Sequence, residues 1–422
     1  MLEVKGFRSA AVESGIRGKK RLDLALIVSE KPAAAAGVFT TSRVKAAPVL
    51  LGRERLRGGK AQAILVNSGI ANACTGAQGM SQARICGAMA ADALGISEDL
   101  VQIASTGVIG MPLDLECFRR GVPCLAKAME FQGDGVRGGV ADAVDDVAAG
   151  TTRRRLNALP GLDAVSKAIM TTDTVPKTAV RNFSLDGVEV RLCGLAKGAG
   201  MIMPDMATML SFVLTDATVS PTLLKTMLKR SVDSSFNRIT VDGDTSTNDT
   251  VLLLANGYSG ASPLEEGSAD QLLFQQQLDQ LCLDLARQVV RDGEGASKLV
   301  TIRVEQAVDE DQARRAAKTI ANSNLVKTAF FGEDANWGRI IAALGRSGAE
   351  FDPEAVDIAF GRVLMVKDGL GLGEEAEKEA TRVLKLPEFE VTISLKAGNA
   401  AADYLTCDFS LDYVKINADY RT

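Results

Sequence analysis

A chain of 422 residues, 46% apolar and 24% charged, is too long for one compact core and has the profile of a globular protein built from two or three packed units. Its net charge of −5 and lack of any long basic run give no sign of binding to nucleic acid or to an anionic membrane. Histidine is absent, which excludes a Ser-His-Asp or Cys-His pair, histidine-ligated zinc and an imidazole base.

The opening MLEVKGFRSAAVESG lacks the unbroken apolar core of a secretory signal, and the apolar run Ala33–Phe39 is too short to span a bilayer. Seven cysteines (74, 86, 117, 124, 193, 282 and 407) form no CxxC pattern, as expected of reduced thiols in a cytoplasmic protein. LDLALIVSE (22–30) and QAILV (62–66) read as short buried strands. Ser81 is placed to cap a helix reaching about Leu94, with Ile85, Met89 and Ala93 on its apolar stripe. VQIASTG follows as a strand, and residues 113–150 read as helix with a glycine-containing break near 133–139.

Asp186-Gly187 between alternating segments predicts a hairpin with a tight primed turn. A strand over 209–214, a helix over 221–233 and a buried strand in TVLLLANG come next. Residues 269–291 give the clearest helix, with Leu278, Leu281, Cys282, Leu285 and Val289 on one face. LVTIRVEQA predicts a strand and 309–345 a long helical stretch, and the alternation of Val391, Ile393 and Leu395 then marks a further strand. Strands and helices mix throughout without an internal repeat, so the class is α/β or α+β.

The most unusual segment is GLAKGAGMIMPDMATML, residues 194–210. Gly198 and Gly200 permit close approaches that a Cβ would forbid, and Pro204 fixes one φ just before Ala207-Thr208. Small and turn-forming residues before a strand-opening threonine suit peptide self-cleavage, in which the Thr208 hydroxyl must reach the Ala207 carbonyl carbon. Breaking that bond would make Thr208 a new N-terminus, whose α-amine, with a reference pKa of about 7.7–8, could serve as base for its own hydroxyl. A histidine-free chain would thereby gain an activated nucleophile. A threonine opening a strand is otherwise structural, and this pattern alone does not decide between the two.

In IASTGVIG (103–110), small residues could offer backbone N–H groups and the Thr106 hydroxyl to a developing oxyanion, or simply end a strand. NSGIANACTGAQG lacks the ending of a P-loop, and GLGLG misses the dinucleotide spacing. Lys197 and Glu294 would together suit a substrate bearing a carboxylate and an ammonium, although either could be a solvated surface residue. YVKINADYRT ends the chain on Asn417, Tyr420 and Thr422, where a frayed tail is the default.

Several motifs occur together and in order: GVFTTSRVKAAPV, ILVNSGIANACTG, STGVIG, IMTTDTVPK, KGAGMIMPDMATML, ITVDGDTSTNDT, GEGASKLVT, DANWGRI and YVKINADYRT. In this combination, spread from the first fifty residues to the last, the chain resembles the ornithine acetyltransferase (glutamate N-acetyltransferase) family. The resemblance implies an αββα sandwich related to N-terminal-nucleophile hydrolases, with an additional smaller α/β unit. It implies cleavage between Ala207 and Thr208 into an α chain, 1–207, and a β chain, 208–422, assembled as α2β2. It also implies a ping-pong transfer of acetyl from N-acetylornithine to glutamate through Thr208, without cofactor or metal. Acetyl-CoA serves some members as an alternative donor. Thr106 and Gly107 match the family's oxyanion pair, and Thr171 (with Thr172 beside it), Lys197, Thr208, Glu294, Asn417 and Thr422 match its substrate contacts. An N-terminal-threonine aminopeptidase or amidohydrolase on the same scaffold is the nearest alternative, and a non-catalytic binding protein is another.

Overall fold

A computed structural model describes residues 2–18, 20–130, 141–143, 156–203 and 209–419. The first two-thirds of the chain comprise β1 (Phe7–Val12), β2 (Leu24–Phe39), α1 (Ala47–Arg55), β3 (Lys60–Ile70), α2 (Gly76–Leu94), β4 (Val101–Val108), α3 (Leu115–Glu130), β5 (Ala141–Ala143), β6 (Leu156–Pro160) and α4 (Leu162–Ala168), followed by β7 (Lys177–Leu185), β8 (Val188–Lys197), β9 (Leu210–Thr215), α5 (Pro221–Ser234), β10 (Thr250–Ala255) and α6 (Ala269–Arg291). The remainder contributes β11 (Leu299–Ala307), α7 (Glu310–Ala321), α8 (Asn324–Phe331), α9 (Trp337–Gly345), β12 (Asp357–Phe360), β13 (Val363–Lys367), β14 (Leu370–Gly371), α10 (Glu374–Leu384), β15 (Glu388–Ser394), β16 (Ala400–Cys407) and α11 (Leu411–Asp419).

The 16-residue β2 organises the larger unit. Its first half pairs with β1 and β3, and its second half, from Ala34 to Phe39, pairs with β10. The register to β3 slips between Val28 and Ala33, a stretch that includes Pro32, which has no N–H to give a ladder. One arm of the resulting ten-stranded sheet therefore carries β5-β6-β1-β2 with β3 and β4, and the other runs β2-β10-β9-β8-β7. Side chains alternate along these strands. Ala25, Ile27, Ile64, Phe212, Leu214, Leu252 and Leu254 share one core between the two arms. Leu24, Leu26, Ala63 and Leu65 face a second core with α2 and α3, and Val213, Val251 and Leu253 face a third with α5 and α6. The layering is αββα. Both faces of β9 and β10 are covered, which is why LSFVLT and TVLLLA are nearly all apolar.

α6 occupies the predicted span. Leu278, Leu281, Cys282, Leu285 and Val289 are all fully buried, each large aliphatic side chain contributing roughly 1.5–3 kcal/mol. Ser268 caps it, its hydroxyl accepting from the Gln271 amide at 3.1 Å. The hairpin is also as predicted, with Asp186 and Gly187 at φ 48° and 74° between β7 and β8.

Two local expectations are corrected. α2 starts at Gly76, so Ser81 lies inside the helix and caps nothing. Its buried face is Ala83, Cys86, Gly87 and Ala90, while Ile85 is 37% exposed. The small residues let the helix approach the buried Arg55: a Cβ at Gly87 would stand 2.6 Å from Arg55 Nη1. The predicted stretch 309–345 is three helices. Asn322 and Ser323 interrupt it first, and Gly332–Asn336, with Glu333 at φ 55°, interrupts it again. Asp309 and Asn336 cap the first and third of these helices, accepting from Gln312 and Arg339 amides at 2.7 and 3.2 Å. The predicted glycine break near 133–139 lies outside the described residues.

The second unit is a six-stranded sheet, β14-β13-β12-β15-β11-β16, sharing a core with α7 to α10. It joins the sandwich through a bridge between Ile239 and Leu405 and through Leu405 and Cys407, which pack in the α5/α6 core. All seven cysteines are unbridged and six are buried; burial pushes the Cys86 thiol up to about 12. Among the described residues, no helix is long and apolar enough to cross a membrane.

Candidate active site

A cavity of about 200 Å³ opens where the C-terminal ends of β4 and β8 meet the loops after α4 and α6, the loop before β10, and α11. Thr106, Gly107, Thr171, Thr172, Lys197, Glu294 and Asn417 line it together. Ala207, Thr208 and Thr422 lie outside the described residues.

Lys197 closes β8, and only 6% of it is exposed. Its ammonium donates to the Thr106 hydroxyl at 2.9 Å and to the Thr171 hydroxyl at 3.0 Å. An ammonium has three donors and no acceptor, so one N–H is left for another group, and the Thr106 hydroxyl keeps its own proton to donate. Burial pulls the Lys197 pKa below its ordinary value, against the opposing pull of Asp173. Gly107 must be glycine: at φ 131°, a Cβ there would lie 2.2 Å from the Gly69 carbonyl carbon on β3.

Behind Lys197 sits an ionic cluster that sequence reasoning did not single out. Asp173 accepts from the Thr171 amide at 2.9 Å, the Gly198 amide at 2.6 Å and the Lys177 ammonium at 2.5 Å. Lys177 also pairs with Asp292. Burial alone would push the Asp173 carboxyl up, but Lys197 and Lys177 hold it down at about 2. The i, i+4 spacing of Asp173 and Lys177 in TTDTVPK was a visible signal.

Glu294 faces the cavity from the opposite side. Its carboxylate accepts from the Asn417 side chain of α11 at 2.8 Å and lies directly against Gly200, where a Cβ would stand 2.4 Å from it. The C-terminal segment is therefore a helix docked on the cavity wall through Asn417. Asp242 and Asn248, also missed, belong to ITVDGDTSTNDT. Asp242 accepts from the Met201 and Ile202 amides at 2.5 and 2.8 Å. Asn248 donates to the carbonyls of Ala71 at 2.6 Å and Ser105 at 2.8 Å, bracing the segment that carries Thr106.

These bonds fix both approaches to the predicted cleavage point. On one side Gly198, Met201 and Ile202 are held by Asp173 and Asp242, and Thr245 donates to the Met203 carbonyl at 3.2 Å. On the other, the Thr250 amide donates to the Met209 carbonyl at 3.0 Å, starting the parallel pairing of β10 with β9. The cavity thus offers a cation, an anion and two threonine hydroxyls near the start of β9.

Comparison with known proteins agrees in sequence along the whole chain. A profile of the ArgJ family matches residues 8–422. The "Arginine biosynthesis bifunctional protein ArgJ" of Desulfotalea psychrophila is 51% identical over 421 residues, and that of Geobacter sulfurreducens 49%, each alignment covering 100% of both chains. A solved ArgJ from Bacillus halodurans is 43% identical, with 50% of this chain and 98% of that one covered at a TM-score of 0.48. An ornithine acetyltransferase from Mycobacterium tuberculosis, solved with ornithine, is 34% identical over 48% of this chain and 94% of that one, with a TM-score of 0.38. With half of its residues shared end to end with such relatives, the chain belongs to the ArgJ family.

Proposed function

We propose that this protein is an acetyltransferase of arginine biosynthesis that moves the acetyl group of N-acetylornithine to glutamate through an acetyl ester on Thr208. The observation that carries this reading is the convergence of Lys197, Thr106 and Thr171 on one cavity, with Glu294 and Asn417 opposite, beside the strand that follows Thr208. The full-length relatives named for arginine biosynthesis point the same way.

Self-cleavage at Ala207–Thr208 gives an α chain, 1–207, and a β chain, 208–422, which assemble as α2β2 in the cytoplasm. The freed α-amine takes the Thr208 hydroxyl proton as Oγ attacks the acetyl carbonyl of N-acetylornithine. The Thr106 hydroxyl and the Gly107 amide receive the oxyanion. The C–N bond breaks, nitrogen takes the proton and ornithine leaves. Glutamate then repeats the steps in reverse order, its amine attacking the ester. Donor and acceptor each carry an α-carboxylate, which the remaining Lys197 N–H orients, while Glu294 and Asn417 bind the amino-acid end together with Thr422. No cofactor takes part, and acetyl-CoA acts as a second donor substrate in the bifunctional form of the reaction.

Replacing Thr208 by alanine is the direct test. The expected product is an uncut 44.5 kDa chain without acetyl transfer; two fragments or normal turnover in that variant overturn the reading. Acetate release from N-acetylornithine at the same rate with and without glutamate would favour an amidohydrolase instead.

A further inference from the structure

Asp249 has no role in the transfer chemistry above, and no well-aligned donor reaches its carboxyl. It precedes β10 at the end of ITVDGDTSTNDT, is 3% exposed, and neither of its carboxyl oxygens has a hydrogen-bond partner. Buried polar groups are nearly always satisfied, so one left bare in a structure calls for an explanation.

Its location suggests one. Thr250 is in register with Leu210, and the Thr250 amide bonds to the Met209 carbonyl, so Asp249 stands level with the residue that follows Thr208 in sequence. The Met209 amide and Thr40 lie beside the carboxyl, but Thr40 gives its hydroxyl proton to the Ser246 carbonyl at 2.8 Å. Lys197, from β8, is the charged group facing it, and Lys197 is already bonded to two hydroxyls. A carboxyl buried this deeply without an ion-pair partner favours its neutral form, and burial holds Asp249 well above the usual carboxylate range.

We propose that the Asp249 carboxyl is the proton relay for self-cleavage at Ala207–Thr208, an inference that rests on the nucleophile assignment made under Proposed function. A neutral carboxyl carries an acceptor oxygen and a donor hydroxyl side by side. As the bond from Thr208 Oγ to the Ala207 carbonyl carbon forms, the Oγ proton passes to one carboxyl oxygen. As the C–N bond breaks, the proton on the other oxygen passes to the departing Thr208 nitrogen. The carboxyl ends neutral, the amine is freed, and Ala207 is left as an ester on Oγ. One water then hydrolyses that ester, restoring the hydroxyl and releasing the Ala207 carboxylate with a proton. An ionised carboxylate could accept the first proton but would have none to give to the nitrogen.

The test follows conversion of the intact chain to two fragments during a cell-free synthesis chase, in wild type, Asp249→Asn, Asp249→Glu and Thr208→Ala. Asp249→Asn should be cut at least about 100-fold more slowly, the scale of a lost acid–base group. Asp249→Glu should recover to within about tenfold of wild type, and Asp249→Asn should melt no lower than wild type. Cutting of Asp249→Asn at the wild-type rate overturns the relay while leaving the nucleophile assignment intact, provided Thr208→Ala stays whole. Equal slowness in Asp249→Asn and Asp249→Glu, with lowered melting in both, also overturns it, because the carboxyl would then be a packing element. Normal cutting of Thr208→Ala defeats the nucleophile assignment itself.

Discussion

Asp173 and Asp249 both act on Lys197 and are almost equally hidden, yet their chemistry is opposite. Asp173 takes two backbone N–H bonds and a lysine, and its carboxyl is held at about 2 despite its burial. Asp249 is faced by Lys197 but reached by no well-aligned donor, and its carboxyl is pushed far up. Depth therefore does not decide ionisation in this site; the cations beside the carboxyl do, two lysines acting on Asp173 and Lys197 alone on Asp249. One aspartate is a fixed charge that positions the lysine, and the other is biased by burial toward its neutral form.

The largest expected effect comes from removing the fixed charge. Asp173→Asn leaves Lys197 without its neutralising neighbour and Lys177 with Asp292 alone, and should cost about 3–5 kcal/mol in a urea titration. A loss below about 1 kcal/mol would mean that the cluster contributes little. The pH dependence of wild-type stability sharpens the contrast. Because the Asp173 value is depressed from 3.8 to about 2, its contribution, on the order of 2 kcal/mol, is present above the unfolded value and fades as pH falls through the folded one. Asp249 has the reverse sign. The folded state binds its proton more tightly, so stability declines as pH rises from 3.8 through the raised value. Asp249→Asn should therefore gain on wild type with increasing pH, and parallel melting curves from pH 5 to 9 would contradict this.

Two smaller effects test the far wall of the cavity. Gly200→Ala drives a methyl into the Glu294 carboxylate and should raise KM for ornithine-type substrates about tenfold, equivalent to about 1.4 kcal/mol, while cleavage continues. Asn417→Ala removes one hydrogen bond to Glu294 and should cost about 1 kcal/mol of substrate binding, seen as a severalfold rise in KM at unchanged melting temperature.

Local features of the fold were legible in the sequence: the Asp186-Gly187 hairpin, the α6 stripe and the apolar runs of β9 and β10 each follow from short-range periodicity or turn chemistry. α2 misled because its buried face is built from alanine, cysteine and glycine around Arg55, so the larger Ile85 faces outward. The stretch 309–345 misled because Ile320 and Phe330 enter one core from separate helices, a constraint that only the folded sheet imposes. In the site, Lys197 and Thr106 stood out as unusual residues, but a bond spanning 91 positions is invisible to local patterns. Asp173, Asp242 and Asp249 were passed over for a simpler reason. An aspartate in a polar loop reads as solvated until its backbone partners, or their absence, are known.

The strand order β2-β10-β9-β8 bears on the cleavage proposed at Ala207–Thr208. β8 and β2 precede position 208 and β9 and β10 follow it, so the later half supplies the two middle rungs of a ladder whose outer rails belong to the earlier half. Scission there would leave two polypeptides woven into a single fabric. They could part only by global unfolding, so halves from separately labelled molecules should never trade places in the native state.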